Sequence, residues 1–266
     1  MKKVFKNVLK FLVVLYIIVC GLLYFFQEKI IFHPRKLSPD YHFNFSQQYE
    51  EFQVKANDGI LLNGVLFKND SAKGLIFYLH GNGGSIESYA DVAAFYGALH
   101  YDVCMFDYRG YGKSEGNINN LEQLFEDNQT VYNEMKKQYP EEKIILLGYS
   151  LGTGFAAKLA SENRPQRLIL QAPYYSLKDM MMRQYKIIPT FILKYNIATN
   201  EYLKKCTMPI TVFHGTSDNT IYYGSSLKLK KEFKQGDTLI TLPEQGHGRI
   251  IENPIYQTAI KNILFQ

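Results

Sequence analysis

The sequence has 266 residues, of which 46% are hydrophobic and 15% aromatic, a composition that fits one domain with a substantial buried core and excludes a largely disordered chain. The formal net charge is +5, but residues 1–36 contain seven basic side chains and one acidic one, which leaves 23 basic and 24 acidic side chains beyond them. Because the body of the chain has no excess of basic residues, the composition excludes a nucleic-acid partner.

The first predicted element is an apolar helix near the N-terminus. Phe11–Phe26 contains sixteen residues without a charged side chain. As a helix this segment would span about 24 Å, which is close to the ~30 Å hydrocarbon core of a bilayer. The preceding lysines, Lys2, Lys3, Lys6 and Lys10, favour a cytoplasmic N-terminus, because positive charge is retained on that side. We therefore predict a single membrane-spanning helix.

This helix divides the chain into two predicted regions. Residues 1–30 form the cytoplasmic basic end and a transmembrane signal anchor, and residues 31–266 form the folded domain. The folded domain then lies on the extracytoplasmic side, in a periplasm or a lumen. A cleaved signal peptide is the alternative, with Val19-Cys20-Gly21 as its best cleavage site.

The remaining chain alternates predicted strands and helices. Tyr49–Phe67 contains two runs separated by Asn57-Asp58-Gly59, which predicts an antiparallel hairpin. The later pairs of strand and helix are Leu75–Leu79 with Glu87–Leu99, Val103–Phe106 with Leu121–Gln138, Ile144–Leu147 with Leu151–Glu162, Ile210–Phe213 with Ser225–Phe233, and Leu239–Leu242 with Pro254–Leu264. This alternation predicts an α/β fold with a mostly parallel central sheet flanked by helices. Functional residues of such sheets collect at the carboxyl ends of the strands.

An insertion after the strand Leu168–Leu170 interrupts this rhythm. Residues 174–206 contain the apolar runs Met180-Met181-Met182, Ile187-Ile188 and Phe191-Ile192-Leu193. We predict that this segment forms a small cap, whose apolar side chains would favour acyl chains or lipid-like esters. Ordinary core packing is the alternative interpretation of the same residues.

Gly148-Tyr149-Ser150-Leu151-Gly152 is the strongest catalytic motif. It follows an apolar run and begins a helix rich in Ala and Leu, which is the context of a nucleophile elbow. The flanking glycines let neighbouring backbone approach the turn, and the helix N-terminus stabilises a developing oxyanion. We therefore predict Ser150 as a nucleophile; the alternative is a tight turn capped by its hydroxyl.

A second glycine-rich loop, His80-Gly81-Asn82-Gly83-Gly84, follows the strand Leu75–Leu79. Such a loop can supply the other half of an oxyanion hole, and we assign the two donors to the backbone N–H groups of Asn82 and Leu151. A dinucleotide-binding loop would need G-x-G-x-x-G spacing, which this segment lacks. His80 is predicted to brace the loop.

The base and the acid follow from position in the chain. His247 lies after the last predicted strand and downstream of the other candidates, in the order serine, acid, histidine. Asp218 follows the strand Ile210–Phe213 and would orient the imidazole. Its competitors are Asp179 and Glu244. We interpret His214, which precedes a glycine, as a turn residue.

Two further groups of residues predict structure rather than chemistry. Asp107 and Arg109, in a glycine-rich loop after Val103–Phe106, suggest a structural ion pair. Cys20, Cys104 and Cys206 show no spacing typical of a disulfide framework or a zinc site. No metal and no cofactor is predicted.

Together these motifs resemble the α/β-hydrolase superfamily, and in particular its membrane-anchored Bem46-like branch, which includes the ABHD13-type and ABHD17-type proteins. The residues that carry the resemblance are Gln27–Pro34, His80–Gly83, Asp107–Gly112, Gly148–Gly152, His214-Gly215 with Asp218, and Gly246-His247. The resemblance implies the α/β-hydrolase fold for the region from about residue 27 to residue 266. The chain lacks the cysteine-rich N-terminus of the ABHD17 type.

The function expected from these residues is that of a serine hydrolase, with Ser150, Asp218 and His247 as its triad. It would cleave carboxylic esters or thioesters of an apolar, small-molecule or lipid-like acyl substrate through an acyl-enzyme. The superfamily includes esterases, lipases, thioesterases and peptidases, so a serine peptidase of the same fold is the first alternative. A non-catalytic binding protein on a hydrolase scaffold is the second.

Overall fold

The computed structural model describes residues 1–265 and is built around one large sheet. Within those residues the strands are β1 (His33–Pro34), β2 (Tyr49–Lys55), β3 (Leu61–Phe67), β4 (Leu75–Leu79), β5 (Gly83–Gly84), β6 (Asp102–Phe106), β7 (Ile144–Tyr149), β8 (Arg167–Gln171), β9 (Ile210–Gly215) and β10 (Thr238–Leu242). The α-helices are α1 (Lys2–Phe25), α2 (Gln27–Ile31), α3 (Ala90–Gly97), α4 (Leu121–Lys136), α5 (Gly152–Glu162), α6 (Leu177–Gln184), α7 (Thr199–Leu203), α8 (Gly224–Leu229) and α9 (Pro254–Leu264).

Eight strands form the main sheet in the order β10-β9-β8-β7-β4-β6-β3-β2. The six strands from β10 to β6 run parallel, whereas β2 and β3 form an antiparallel hairpin at one edge. The prediction of a mostly parallel sheet with an N-terminal hairpin is therefore confirmed. In this arrangement β4, β6, β7, β8 and β9 all end at the same edge of the sheet.

Helices cover both faces of the sheet. On one face, α4 and α5 pack through Val131 and Phe155 against the buried side chains of the strands. On the other face, α3 and α9 pack through Tyr96 and Tyr256, whose hydroxyl groups are hydrogen-bonded. All five residues of β4 are buried, because helices exclude water from both sides of a central parallel strand.

The observed bounds differ from the predicted ones mainly at the ends of elements. Glu87–Leu99 was predicted as one helix, but the structure divides this region into a 3-10 turn, Ile86–Tyr89, and the helix α3. Likewise α8 ends at Leu229 and continues as a 3-10 turn, so the predicted helix to Phe233 is too long. Helix ends commonly tighten into 3-10 turns, which periodicity does not reveal.

Helix α1 projects from the domain, and none of its residues is buried. Among the described residues it is the one helix long and apolar enough to cross a membrane, by length and composition. The division at residue 30 stays a prediction.

Arg109 holds the loop after β6 through a buried ion-pair network. Its guanidinium donates two hydrogen bonds to Asp127 of α4, at 2.6 and 2.7 Å, and a third to Asp58 at 2.9 Å. The predicted pair with Asp107 is wrong, because the Asp107 carboxylate instead accepts a hydrogen bond from the backbone N–H of Ile86 at 2.9 Å. Both residues therefore brace loops at the functional edge of the sheet.

We expect Arg109→Ala to lower the free energy of unfolding by about 3 kcal/mol or more, because it leaves the buried Asp127 carboxylate without its partner. Chemical denaturation in detergent micelles measures this loss. Arg249→Ala is the matched control: its side chain is 81% exposed and pairs with Glu252 at the surface, so a change of less than ~0.5 kcal/mol is expected. Equal effects of the two substitutions would contradict the structural role of Arg109.

Candidate active site

Ser150 lies in a sharp turn between β7 and α5. Its backbone has a φ of 52°, in the left-handed region that residues other than glycine rarely adopt. A Cβ atom at position 148 would lie 2.7 Å from Thr153 Cα, and one at position 152 would overlap the backbone oxygen of Leu79. Glycine at both positions therefore lets the helix begin directly against the sheet, with the serine at the top of the turn.

The structure brings Ser150, His247 and Asp218 into one hydrogen-bonded series. Ser150 Oγ lies 2.9 Å from His247 Nε2, and His247 Nδ1 lies 2.7 Å from Asp218 Oδ2. The serine follows β7, the aspartate follows β9 and the histidine follows β10, so the parallel sheet gathers them at one edge. In this geometry the serine hydroxyl donates to the imidazole and the imidazole donates to the carboxylate.

The Asp218 carboxylate accepts hydrogen bonds from backbone groups as well as from His247. Its Oδ1 atom accepts hydrogen bonds from the backbone N–H groups of Thr220 and Ile221, both at 2.8 Å. Burial acts to raise the pKa of Asp218, but hydrogen bonds from His214, His247 and Ile221 outweigh it and hold the pKa well below its usual range. The carboxylate therefore remains ionised beside the imidazole.

His214 differs from its predicted role as a turn residue. It is fully buried within β9, and its Nε2 atom lies 3.2 Å from Asp218 Oδ2 and 2.9 Å from the backbone oxygen of Ile221. Both neighbours are acceptors, so this nitrogen carries a hydrogen. Its Nδ1 atom lies 2.6 Å from the hydroxyl of Ser226. The spacing of four residues between His214 and Asp218, at the end of a strand, was the available signal.

Tyr149 is a second residue whose role the sequence did not reveal. Its ring packs on the His247 ring with 5.4 Å between centroids, and its hydroxyl donates to the His247 backbone oxygen at 3.2 Å. Burial raises the pKa of Tyr149 to about 12, so the phenol stays neutral and can donate this bond. The contact fixes the loop that contains His247.

The two predicted oxyanion donors both line the cavity next to Ser150. Within residues 1–265 neither the Asn82 nor the Leu151 backbone N–H donates to another backbone group. The Asn82 side chain fixes its loop, because its amide donates to Ile31 at 2.5 Å and its oxygen accepts from Tyr111 at 2.9 Å. Both N–H groups are thus available for a negatively charged oxygen.

His80 braces the same loop from below. It is buried, and its Nδ1 atom lies 2.7 Å from the backbone oxygen of Gly81. Burial lowers the pKa of His80 to about 4 despite that bond, and burial raises the pKa of Asp107 to about 7. A neutral His80 forms no ion pair with Asp107, and the 3.9 Å between them is too long for a hydrogen bond.

The competing carboxylates lie elsewhere. Asp179 accepts from the Tyr222 hydroxyl at 2.7 Å and pairs with Lys228, so it ties the cap to α8. Glu244 is exposed, and its backbone has a φ of 58°. Among the described residues, neither contacts the imidazole of His247.

An apolar cavity of about 400 Å³ opens above Ser150. Its wall contains Leu177, Met180 and Met181 of the predicted cap and, on the other side, Leu23 and Ile30. No group of three or more histidines, cysteines or carboxylates that could hold a metal ion occurs within residues 1–265. The site as described offers a hydroxyl, an imidazole and a carboxylate in hydrogen-bonded series beside an apolar chamber.

Comparison with known proteins shows which families and proteins this chain resembles. Residues 70–198 match the family described as serine aminopeptidase, S33. The chain is 28% identical to the protein bem46 of Schizosaccharomyces pombe over 190 residues, which cover 66% of this chain and 63% of that one. It is 27% identical to the lysophosphatidylserine lipase ABHD12 of Macaca fascicularis over 184 residues, covering 60% of this chain and 45% of that one.

Solved structures resemble the fold over a greater length. The esterase PF2001 of Pyrococcus furiosus superposes with a TM-score of 0.72 at 20% identity, covering 88% of this chain and 97% of that one. The matched regions span less than two thirds of the first curated relatives, 61% and 63% of their lengths. Structural likeness at this identity concerns the fold alone.

We expect Asp218→Asn to lower the free energy of unfolding near pH 6, and the difference from the unaltered protein to shrink below about pH 4. The pKa of Asp218 is depressed in the folded state, so the carboxylate stabilises the fold above the unfolded pKa and this contribution disappears as the pH falls through the folded pKa. Denaturant titrations in detergent micelles at several pH values measure the difference. Asp70→Asn, at an exposed position, is the control; a pH-independent difference for Asp218→Asn would contradict the expectation.

Proposed function

Because this chain belongs to the α/β-hydrolase superfamily and is Bem46-like, we propose that it is a serine hydrolase that cleaves carboxylic esters or thioesters. The single observation that carries the proposal is the hydrogen-bonded series of Ser150, His247 and Asp218 above an apolar cavity. The name of the related lysophosphatidylserine lipase adds support for a lipid-like ester.

The reaction proceeds in two acyl transfers. His247 accepts the Ser150 proton as the oxygen attacks the substrate carbonyl, and Asp218 stabilises the imidazolium that forms. The N–H groups of Asn82 and Leu151 hold the oxyanion, an interaction worth ~3 kcal/mol for each donor. His247 then gives its proton to the leaving alcohol or thiol. Water, activated by the same imidazole, releases the acid.

A peptidase of the same fold is the second candidate, favoured by the description of the matching family. An aminopeptidase must hold the ammonium group of its substrate, which in an apolar site requires a carboxylate. Among the described residues, the cavity above Ser150 is lined by no aspartate or glutamate. This lining favours esters and thioesters of apolar acids over peptides with a free N-terminus.

The proposal includes a membrane location. Helix α1 would anchor the protein as a single pass, with the lysine-rich N-terminus in the cytoplasm and the folded domain on the extracytoplasmic side. The support for this arrangement is the length of α1, the absence of buried residues in it, and the lysines that precede its apolar part.

We expect the unaltered protein to react covalently with a fluorophosphonate probe and Ser150→Ala not to react. Ester hydrolysis by Ser150→Ala should fall by at least about a thousandfold, because the nucleophile is absent. In-gel fluorescence and p-nitrophenyl ester turnover measure the two effects. A panel of an ester, a thioester and an aminoacyl amide of comparable size then separates the candidate functions.

Ser161→Ala is the matched control for this experiment. Its hydroxyl donates only to the backbone oxygen of Lys158 on the surface of α5, so both labelling and turnover should persist. Labelling that survives in Ser150→Ala would refute the assignment of the nucleophile. Preference for the aminoacyl amide would favour the peptidase.

A further inference from the structure

The short helix α2, which follows α1 directly, is tied to the predicted cap by polar contacts between residues far apart in sequence. Gln27 is buried, its amide donates to the backbone oxygen of Ile192 at 2.6 Å, and its oxygen accepts from the backbone N–H of Lys194 at 2.8 Å. Glu28 accepts from Lys194 Nζ at 3.0 Å and from the Tyr195 hydroxyl at 2.8 Å. The membrane helix therefore ends in a fixed position relative to the cap.

The same contacts place the helix beside the cavity above Ser150. Leu23 of α1 and Gln27, Ile30 and Ile31 of α2 line that cavity together with the cap and with Ser150. Residues that precede the folded domain in sequence thus complete one wall of the chamber in which the acyl group would lie.

The cap also follows α1 toward the membrane. The Tyr16 hydroxyl donates to the backbone oxygen of Ile187 at 2.6 Å. Tyr16 lies nine residues before the end of α1, which corresponds to about 14 Å along the helix axis. If α1 spans a bilayer with its C-terminal end at the outer surface, this part of the cap lies about half-way through the ~30 Å hydrocarbon region.

The cap exposes large apolar side chains, as expected of a surface that contacts the hydrocarbon region of a bilayer. Ile187 is 77% exposed and Phe191 is 86% exposed, next to the fully exposed face of α1. A large exposed aromatic beside a membrane helix is typical of an interfacial anchor.

We propose that α1 is a structural part of the acyl-binding site, and that the site takes a single acyl chain of an ester directly from the bilayer through the gap between α1 and the cap. This proposal rests on the proposed hydrolase function. The ester carbonyl lies at Ser150, and the chain extends between Leu23 and Ile30 on one side and Met180 and Met181 on the other. A cavity of about 400 Å³ is at the lower end of the range for small-molecule sites, which suits one chain.

The first test compares two adjacent leucines of α1 in the full-length protein. Leu23 lines the cavity, whereas Leu22 is 53% exposed and does not. We expect Leu23→Trp to fill the cavity and to lower kcat/KM for p-nitrophenyl laurate about tenfold or more relative to kcat/KM for the acetate ester. Leu22→Trp should change neither value.

Met181→Trp changes the opposite wall of the cavity and should also lower the ratio of laurate to acetate turnover. Because it leaves α1 unaltered, the same loss in this variant would not come from an effect of the Leu23 substitution on the folding of α1. The proposal is overturned if both leucine variants retain the ratio of laurate to acetate turnover of the unaltered protein. Failure of the unaltered protein to react with a fluorophosphonate would instead refute the proposed function, and this inference with it. The two failures are therefore distinguishable.

The second test measures the depth of the cap in the membrane. The sequence contains no tryptophan, so Phe191→Trp introduces a unique fluorophore. In phosphatidylcholine vesicles with brominated acyl chains, this tryptophan should lose fluorescence relative to vesicles without bromine. Ile255→Trp is the control, because Ile255 is an exposed residue of α9 on the other face of the sheet. Equal quenching of the two tryptophans would overturn entry from the bilayer.

Discussion

The close approach of α5 to β4 is the constraint on which the geometry of the site depends. Only glycine at position 152 lets the helix begin against the backbone of Leu79, and this contact leaves Ser150 in its left-handed conformation. From there the serine oxygen meets the imidazole of His247. The same contact brings the loop of Asn82 beside the start of the helix, so that Ser150, Asn82 and Leu151 all line the same cavity. The absence of a side chain at position 152 thus sets the positions of the polar groups around Ser150.

The sheet was predictable from the sequence because its central strands are buried on both faces and therefore appear as continuous apolar runs. The strand Leu75–Leu79 and the helix Pro254–Leu264 both have the predicted bounds in the structure. The Bem46-like resemblance and the mostly parallel sheet are confirmed. The glycine spacing around Ser150 also indicated where the site lies, since that turn imposes the same steric demand wherever it occurs. The catalytic roles of the three site residues stay proposals.

The contacts that the sequence did not reveal join residues far apart or depend on burial. Arg109 pairs with Asp127 rather than with its neighbour Asp107, because α4 lies over the loop only after folding. His214 was interpreted from the glycine that follows it, whereas its environment is set by Asp218 and Ser226. In each case the partner is chosen by packing, and local pattern contains no information about it.

The two hydrogen bonds of Gln27 bear on how the protein is prepared as well as on how it works. A shortened chain that begins at the folded domain would be the usual choice for soluble expression. It would leave the Ile192 carbonyl and the Lys194 N–H without their partners and would open the chamber along the side that Leu23 covers. A fragment that keeps its fold and the contact between Ser150 and His247 would still misreport which molecules the intact protein accepts. Selectivity measured on it would describe the truncation rather than the protein.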